Sequence, residues 1–214
     1  MKVEKENVVF VKSFEIMSSY ESFRKTWNII KKNYKKSGLV NEAYLLKSVS
    51  DNYKFGYVSA SVWNSKDSFI RSLSENVLLR YHHSHNGKGN NSAAVNLYRL
   101  AAKEGNKIRA DKNNVLFVTL FETPKESGKN VYEIWKKLLD VCSEKNNLMR
   151  AVLLKAVYSK NKFGYVSLIR LKNYENLENS RQSVSILKQI RNYTSSYNII
   201  EKLNTYKLIK PEKL

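Results

Sequence analysis

Lys54-Phe55-Gly56-Tyr57-Val58-Ser59 occurs twice in this chain, the second time as Lys162-Phe163-Gly164-Tyr165-Val166-Ser167, 108 positions later. The match spreads outward from that core. Leu45-Leu46-Lys47 returns as Leu153-Leu154-Lys155, Trp27 as Trp135, and Asn96, Tyr98 and Leu100 as Asn204, Tyr206 and Leu208, all at the same offset. Phe10-Val11 and Phe14-Glu15 return at an offset of 107, so one residue was gained or lost between Glu15 and Trp27. The chain therefore reads as two copies of one unit, and whatever fold suits one copy must suit the other. The expected division is residues 1–103, a polar connector at 104–113, and residues 114–214.

Within a unit the periodicity changes from two to three and a half and back. Residues 8–16 are β-branched and aromatic and read as a strand, closed by Ser18-Ser19. Phe23, Trp27, Ile30 and Tyr34 then fall on one face of a helix that ends at Ser37-Gly38. Tyr44–Val49 and Tyr53–Trp63 read as a hairpin around Asp51-Asn52. On its second strand Phe55, Tyr57, Ser59, Ser61 and Trp63 share one face, and Val58, Ala60 and Val62 the other. A second helix carries Phe69, Leu73, Val77 and Tyr81, and Ala94–Ala101 is a fourth strand. The second copy repeats the order, with strands at Val115–Glu122, Leu148–Ser159, Lys162–Leu171 and Ile199–Ile209 and helices at Asn130–Lys145 and Asn173–Tyr193. The order β-α-β-β-α-β is the α+β ferredoxin-like arrangement, an antiparallel sheet with both helices on one face. Its other face is apolar here and must meet something, and two tethered copies can bury these faces against each other as an internal barrel.

The 38 Lys and Arg against 19 Asp and Glu leave a formal charge of +19. A basic surface of this kind suits nucleic acid, although joint enrichment in Lys and Asn spreads the charge over both halves. Cys142 is the single cysteine, so no intrachain disulfide forms, which fits a reducing, cytoplasmic setting. It falls on the helical stripe of Val131, Trp135 and Leu138 and reads as a small buried hydrophobe. No run is long and apolar enough to span a membrane.

Two families share this element order. Val9-Phe10-Val11, Leu116-Phe117-Val118 and Lys54-Phe55-Gly56-Tyr57-Val58 resemble the strand motifs of tandem RNA-recognition domains, whose aromatics stack on bases. That resemblance implies a single-stranded RNA-binding protein, with Phe55 and Tyr57 on an open sheet. The second resemblance covers more of the chain. Phe14-Glu15, Phe23 with Trp27, Leu45 with Ser48, Phe55 with Val58, and Trp63, Ser65 and Phe69 follow the pattern of the antibiotic biosynthesis monooxygenase-like superfamily of dimeric α+β barrels. The second copy keeps Phe121-Glu122, Trp135, Leu153 and Phe163 with Val166, but has Leu171 for Trp63 and Leu177 for Phe69.

The second resemblance implies a pocket between helices and sheet that takes a small hydrophobic or aromatic ligand. The chemistry it implies is cofactor-independent oxidation, or the binding and degradation of haem. It marks Trp63 as a pocket-lining catalytic candidate. It marks His82, nineteen residues later, as catalytic and as the candidate ligand of haem iron, since neutral imidazole is a common axial ligand. Lys12 stands where the haem-degrading branch has an asparagine. Lys12, Phe55, Tyr57, Tyr81 and His83 complete the expected ligand contacts. Trp63 and all three histidines lie in the first copy, which places the expected pocket there. A third reading is a barrel that binds or docks without catalysis, as a monomer or in a higher oligomer. No glycine-rich phosphate loop, metalloprotease helix or nucleophile elbow is present.

Overall fold

Alternation in the first strand decides how the first unit is built. β1 (Val8–Phe14) is the central strand, paired antiparallel with β3 (Tyr57–Trp63) on one side and β4 (Ala94–Glu104) on the other. β2 (Val40–Ser48) lies outside β3, giving the order β4-β1-β3-β2. α1 (Tyr20–Ser37) and α2 (Lys66–Ser74) are the crossovers. The computed structural model describes residues 6–14, 20–48, 56–74, 94–105, 115–123, 128–143, 148–158, 163–172, 188, 192 and 200–208.

The helix ends follow local chemistry. α1 opens with Glu21 and closes with Lys35 and Lys36, each at the end where the helix dipole favours its charge. Gly38 adopts φ 64°, the left-handed cap expected after Ser37, and the Ser37 hydroxyl accepts from the Leu39 N–H at 3.2 Å. Ser65 caps α2, its Oγ accepting from the Ser68 N–H at 3.1 Å.

β2 starts four residues earlier than the sequence pattern indicates. A bulge between Val40 and Glu42 lets Val40 pair with Trp63 while Ala43 pairs with Ser61, so polar Asn41 and Glu42 hide a strand that is already running. β4 runs to Glu104, beyond the expected Ala101 and into the first position of the expected connector.

The second unit, Leu100–Leu208 by its internal packing, contains β5 (Val115–Glu122), α3 (Gly128–Ser143), β6 (Leu148–Ala156), β7 (Tyr165–Leu171) and β8 (Ile200–Leu208). The division falls inside β4, after Arg99. Its strand order is β8-β5-β7-β6, matching the first unit position for position. Val8 opposite Trp63 becomes Val115 opposite Leu171, and the β2 bulge returns between Leu148 and Arg150. The hairpin bond from Ser48 N to Gly56 O returns from Ala156 N to Gly164 O, both at 2.8 Å. Of the expected helix at 173–193 only Lys188 and Asn192 are described, and both are helical. Gly105 ends β4 at φ 82°, and a Cβ there would lie 2.6 Å from the Met149 carbonyl oxygen, so both backbone and space require glycine.

Both faces of each sheet are buried. In the first unit Phe10 meets Phe69 of α2 and Trp63 meets Tyr34 of α1, which identifies the helix-covered face. By alternation that face also carries Lys12, Ala43, Leu45, Tyr57, Ser59 and Ser61. Val9, Val11, Leu46, Val58, Ala60, Val62 and Tyr98 line the opposite face and are equally buried. Complete burial of such side chains stabilises by about 1.5–3 kcal/mol each. In the second unit Phe121, Leu153, Tyr165, Ile169 and Leu171 pack under Val131, Ile134, Trp135, Leu138 and Cys142.

Candidate functional site

The first unit places polar groups where a sheet under helices ordinarily places aliphatic ones. Three rows of paired residues cross β1 and β3 on the helix-covered face: Val8 with Trp63, Phe10 with Ser61, and Lys12 with Ser59. Tyr57 follows in the next row, opposite Phe14. Successive rows on one face are about 6.6 Å apart along the strand. Lys12 and Tyr57 are thus neighbours, whereas Trp63 stands about 13 Å along the strand from Lys12, with Phe10 and Ser61 between them.

Trp63 is fully buried at the centre of an aromatic cluster. Its ring meets Tyr34 and Phe69 edge to face, each at 5.3 Å between centroids, and Phe69 also meets Phe10 at 5.2 Å. Edge-to-face contacts of this kind add about 0.5–1.5 kcal/mol beyond area burial. The indole N–H donates to Ser61 Oγ at 3.0 Å, and the Tyr34 hydroxyl is hydrogen-bonded to the same Ser61. Burial holds the Tyr34 phenol well above the ordinary range, partly offset by that bond, so it remains protonated. One serine thus joins helix α1 to the strand that carries the tryptophan.

Lys12 is 2% exposed and is the single charged residue among the buried described residues. Desolvation brings its pKa down to about 8. At neutral pH the amine is mostly protonated, with a larger neutral fraction than a surface lysine has. An ammonium in such surroundings attracts an anionic oxygen much more strongly than it would in water.

The sequence singled out Trp63, Lys12 and Tyr57, and all three lie on this one face. It missed Tyr34 and Ser61 as a bonded pair. Two serines at alternate positions of an apolar strand, facing a tyrosine on a helical stripe, were the available signal. Phe55, Tyr81, His82, His83 and the rest of the expected α2 beyond Ser74 lie outside the described residues, as does the Phe23 side chain.

The RNA-recognition reading is corrected here. Base stacking needs aromatics on the open, helix-free face. Tyr57 is 4% exposed and Phe10 3%, and both lie under the helices. Neither can stack on a base without dismantling the core. The expected ligand of haem iron, His82, is outside the described residues, and of the groups that touch Trp63 the Tyr34 oxygen is a protonated phenol bonded to Ser61. Among the described residues no group of three or more His, Cys, Asp or Glu is positioned to hold a metal ion. None of their helices is long and apolar enough to cross a membrane.

The matched positions of the second unit carry different chemistry. Leu171 stands for Trp63, Ile169 for Ser61, Cys142 for Tyr34 and Thr119 for Lys12, while Ser167 matches Ser59. Cys142 is buried and its thiol is pushed up to about 12, an unreactive packing group as expected.

No family model and no curated protein matches the chain. Solved structures do. A candidate monooxygenase from Fusobacterium nucleatum superposes with a TM-score of 0.61 at 14% identity, over 100% of this chain and 96% of that one. An anthrone oxidase-like protein gives 0.64 at 12% identity, over 98% and 94%. A mutant chlorite dismutase from Candidatus Nitrospira defluvii, in complex with cyanide, gives 0.60 at 10%, over 97% and 92%. These neighbours share the dimeric α+β barrel fold. At such identities the likeness is one of fold: this chain is built like monooxygenase-like and chlorite dismutase-like proteins.

Proposed function

We propose that the first unit binds a small aromatic molecule bearing an acidic oxygen, with Lys12 holding that oxygen and the aromatic cluster around Trp63 forming one wall. The observation that carries this reading is the buried lysine on the helix-covered face. In so dry a setting its ammonium attracts a phenolate, enolate or carboxylate oxygen more strongly than it would in water. The same contact would stabilise the electron-rich, deprotonated form of a phenol or enol, which is the form that reacts with dioxygen. Oxidation of such a ligand is the reaction class in keeping with the monooxygenase-like neighbours. Lys12 and Trp63 are the residues assigned to it, Lys12 by charge and Trp63 by shape.

Of the expected ligand contacts, Tyr57 stays in the proposal as a neighbour of Lys12.

Titration calorimetry with 2-naphthoate and its neutral amide tests the site. Binding of the acid, weaker binding of the amide, and at least a tenfold loss for the acid in Lys12→Met support it. Equal binding of acid and amide, or an unchanged affinity in Lys12→Met, would refute it.

A further inference from the structure

We propose that the outer flank of α1 is a docking surface for the phosphodiester backbone of a nucleic acid, read by charge and not by sequence. The 18-residue helix carries Arg24, Lys25, Lys31, Lys32, Lys35 and Lys36 against one carboxylate, Glu21. Five of the six cations are exposed and Lys31 is half-buried. At 3.6 residues per turn they form two parallel rows, Arg24-Lys31-Lys35 and Lys25-Lys32-Lys36, within an arc of about 140°. Each row has the spacing i, i+7, i+11 and runs about 16–17 Å along the axis. The remaining exposed arc, through Ile29 and Asn33, holds no charge.

Compositional bias does not account for this. α3 is the matched helix of the second unit, made from the same repeat and subject to the same Lys enrichment. It carries Lys129, Lys136 and Lys137 against Glu133 and Asp140, and Lys136 pairs with Glu104 at 3.2 Å. A uniform bias would load both helices alike, yet six cations face one carboxylate on α1 and three face two on α3. Crowding of like charge is felt within the α1 flank. The Lys31 amine is lowered first by desolvation and then by the Arg24 guanidinium one turn pair away. A helix stabilised only for its own sake would place carboxylates at i+3 and i+4 from these cations.

The chemistry of the flank selects the partner. Its described side chains offer point charges and guanidinium donors for phosphate oxygens and include no aromatic ring for base stacking. A membrane surface would ask for a stripe of aliphatic residues beside the cations, and among the described side chains of α1 the exposed residue of that kind is the single Ile29, at the edge of the Lys25-Lys32-Lys36 row. Contact with both rows neutralises up to six phosphates, so the logarithm of the association constant should fall against the logarithm of salt with a slope of about −5 on a duplex. This surface is separate from Lys12 and Trp63, so it stands or falls independently of the ligand site.

The test is fluorescence anisotropy with a mixed-sequence DNA duplex and a mixed-sequence single-stranded RNA, across a salt series. It compares the wild-type chain with two variants that each lose three cations. Arg24→Gln/Lys31→Gln/Lys35→Gln removes one row of α1, and Lys129→Gln/Lys136→Gln/Lys137→Gln removes the same charge from α3. The α1 variant should bind both probes at least about tenfold more weakly, with its slope shallower by about 3 on the duplex and about 2 on the single strand. The α3 variant should retain the wild-type slope. Equal losses in the two variants would assign the binding to net charge and overturn the proposal. So would tighter binding of phosphatidylserine vesicles than of either nucleic acid, or no binding of nucleic acid at low salt. Circular dichroism of both variants checks that the substitutions leave the helices intact.

Discussion

The two units share strand order, pairing register, a bulge at the same place and a tryptophan on the same helical position, yet their interiors diverge in chemistry at five matched positions around Trp63 and Lys12, among other buried differences. Lys12, Tyr34, Ser61 and Trp63 stand in the first, and Thr119, Cys142, Ile169 and Leu171 in the second. Phe69 and Leu177 are the fifth pair, though Leu177 lies outside the described residues. At the matched positions the second interior has Leu171 and Ile169 with no exposure and an inert buried thiol, with Thr119 in place of the lysine; its buried polar atoms on Thr119, Ser167 and Trp135 make no hydrogen bond. The first carries a buried charge and a hydrogen-bonded Tyr-Ser-Trp group that packing alone would not choose. One scaffold with two fillings teaches that the backbone does not require the polar residues, so their presence in the first unit points to function.

Substitutions at matched positions sharpen or break this contrast. The largest effect is expected at Trp63. Trp63→Ala removes a fully buried ring from two aromatic contacts and should cost about 4 kcal/mol, against about 3 kcal/mol for Leu171→Ala. Guanidinium unfolding measures both, and a loss below 1 kcal/mol at Trp63 would show that the cluster is loosely packed. Next comes Ser61→Ala, which strands the Trp63 indole N–H and the Tyr34 hydroxyl in a dry site and should cost about 2 kcal/mol. Tyr34→Phe in that background should restore part of the loss, because one of the stranded groups is then gone.

The smallest effect is expected at Thr119→Val in the second unit. Thr119 Oγ1 is buried with no hydrogen-bond partner, so the isosteric methyl should leave stability unchanged or raise it by up to about 1 kcal/mol. A clear loss there would mean that the hydroxyl is in use and that the second interior is less bland than the contrast requires.

Much of the fold could be read from residues alone, and the reasons are local. The duplicated hexapeptide located both hairpins, the Trp27 and Trp135 stripes located both long helices, and Gly38 marked its cap. The start of β2 was illegible because a bulge changes the period where Asn41 and Glu42 break the apolar run. The extension of β4 to Glu104 was hidden by its polar Lys103 and Glu104. At the site, alternation alone put Lys12, Tyr57 and Trp63 on one face. The Tyr34–Ser61 bond escaped notice because it joins a helix to a strand distant in sequence and depends on how α1 lies over β3. The tandem RNA-recognition motif misled for a related reason. Its residues were present, but on the strand face that the helices cover.

Stability against pH for the wild-type chain and Lys12→Met tests most directly whether the first unit retains a lysine that its own packing disfavours. Burial holds that amine at about 8, below its ordinary 10.5, so between those values the unfolded chain binds more protons than the native one. Native stability therefore rises with pH across that window, and below pH 8 the buried charge costs the fold its full amount. Urea unfolding should show wild-type stability rising relative to Lys12→Met by about 2–3 kcal/mol as pH goes from 8 toward 10.5. A variant less stable than wild type at pH 7, by an amount indifferent to pH, would contradict the account.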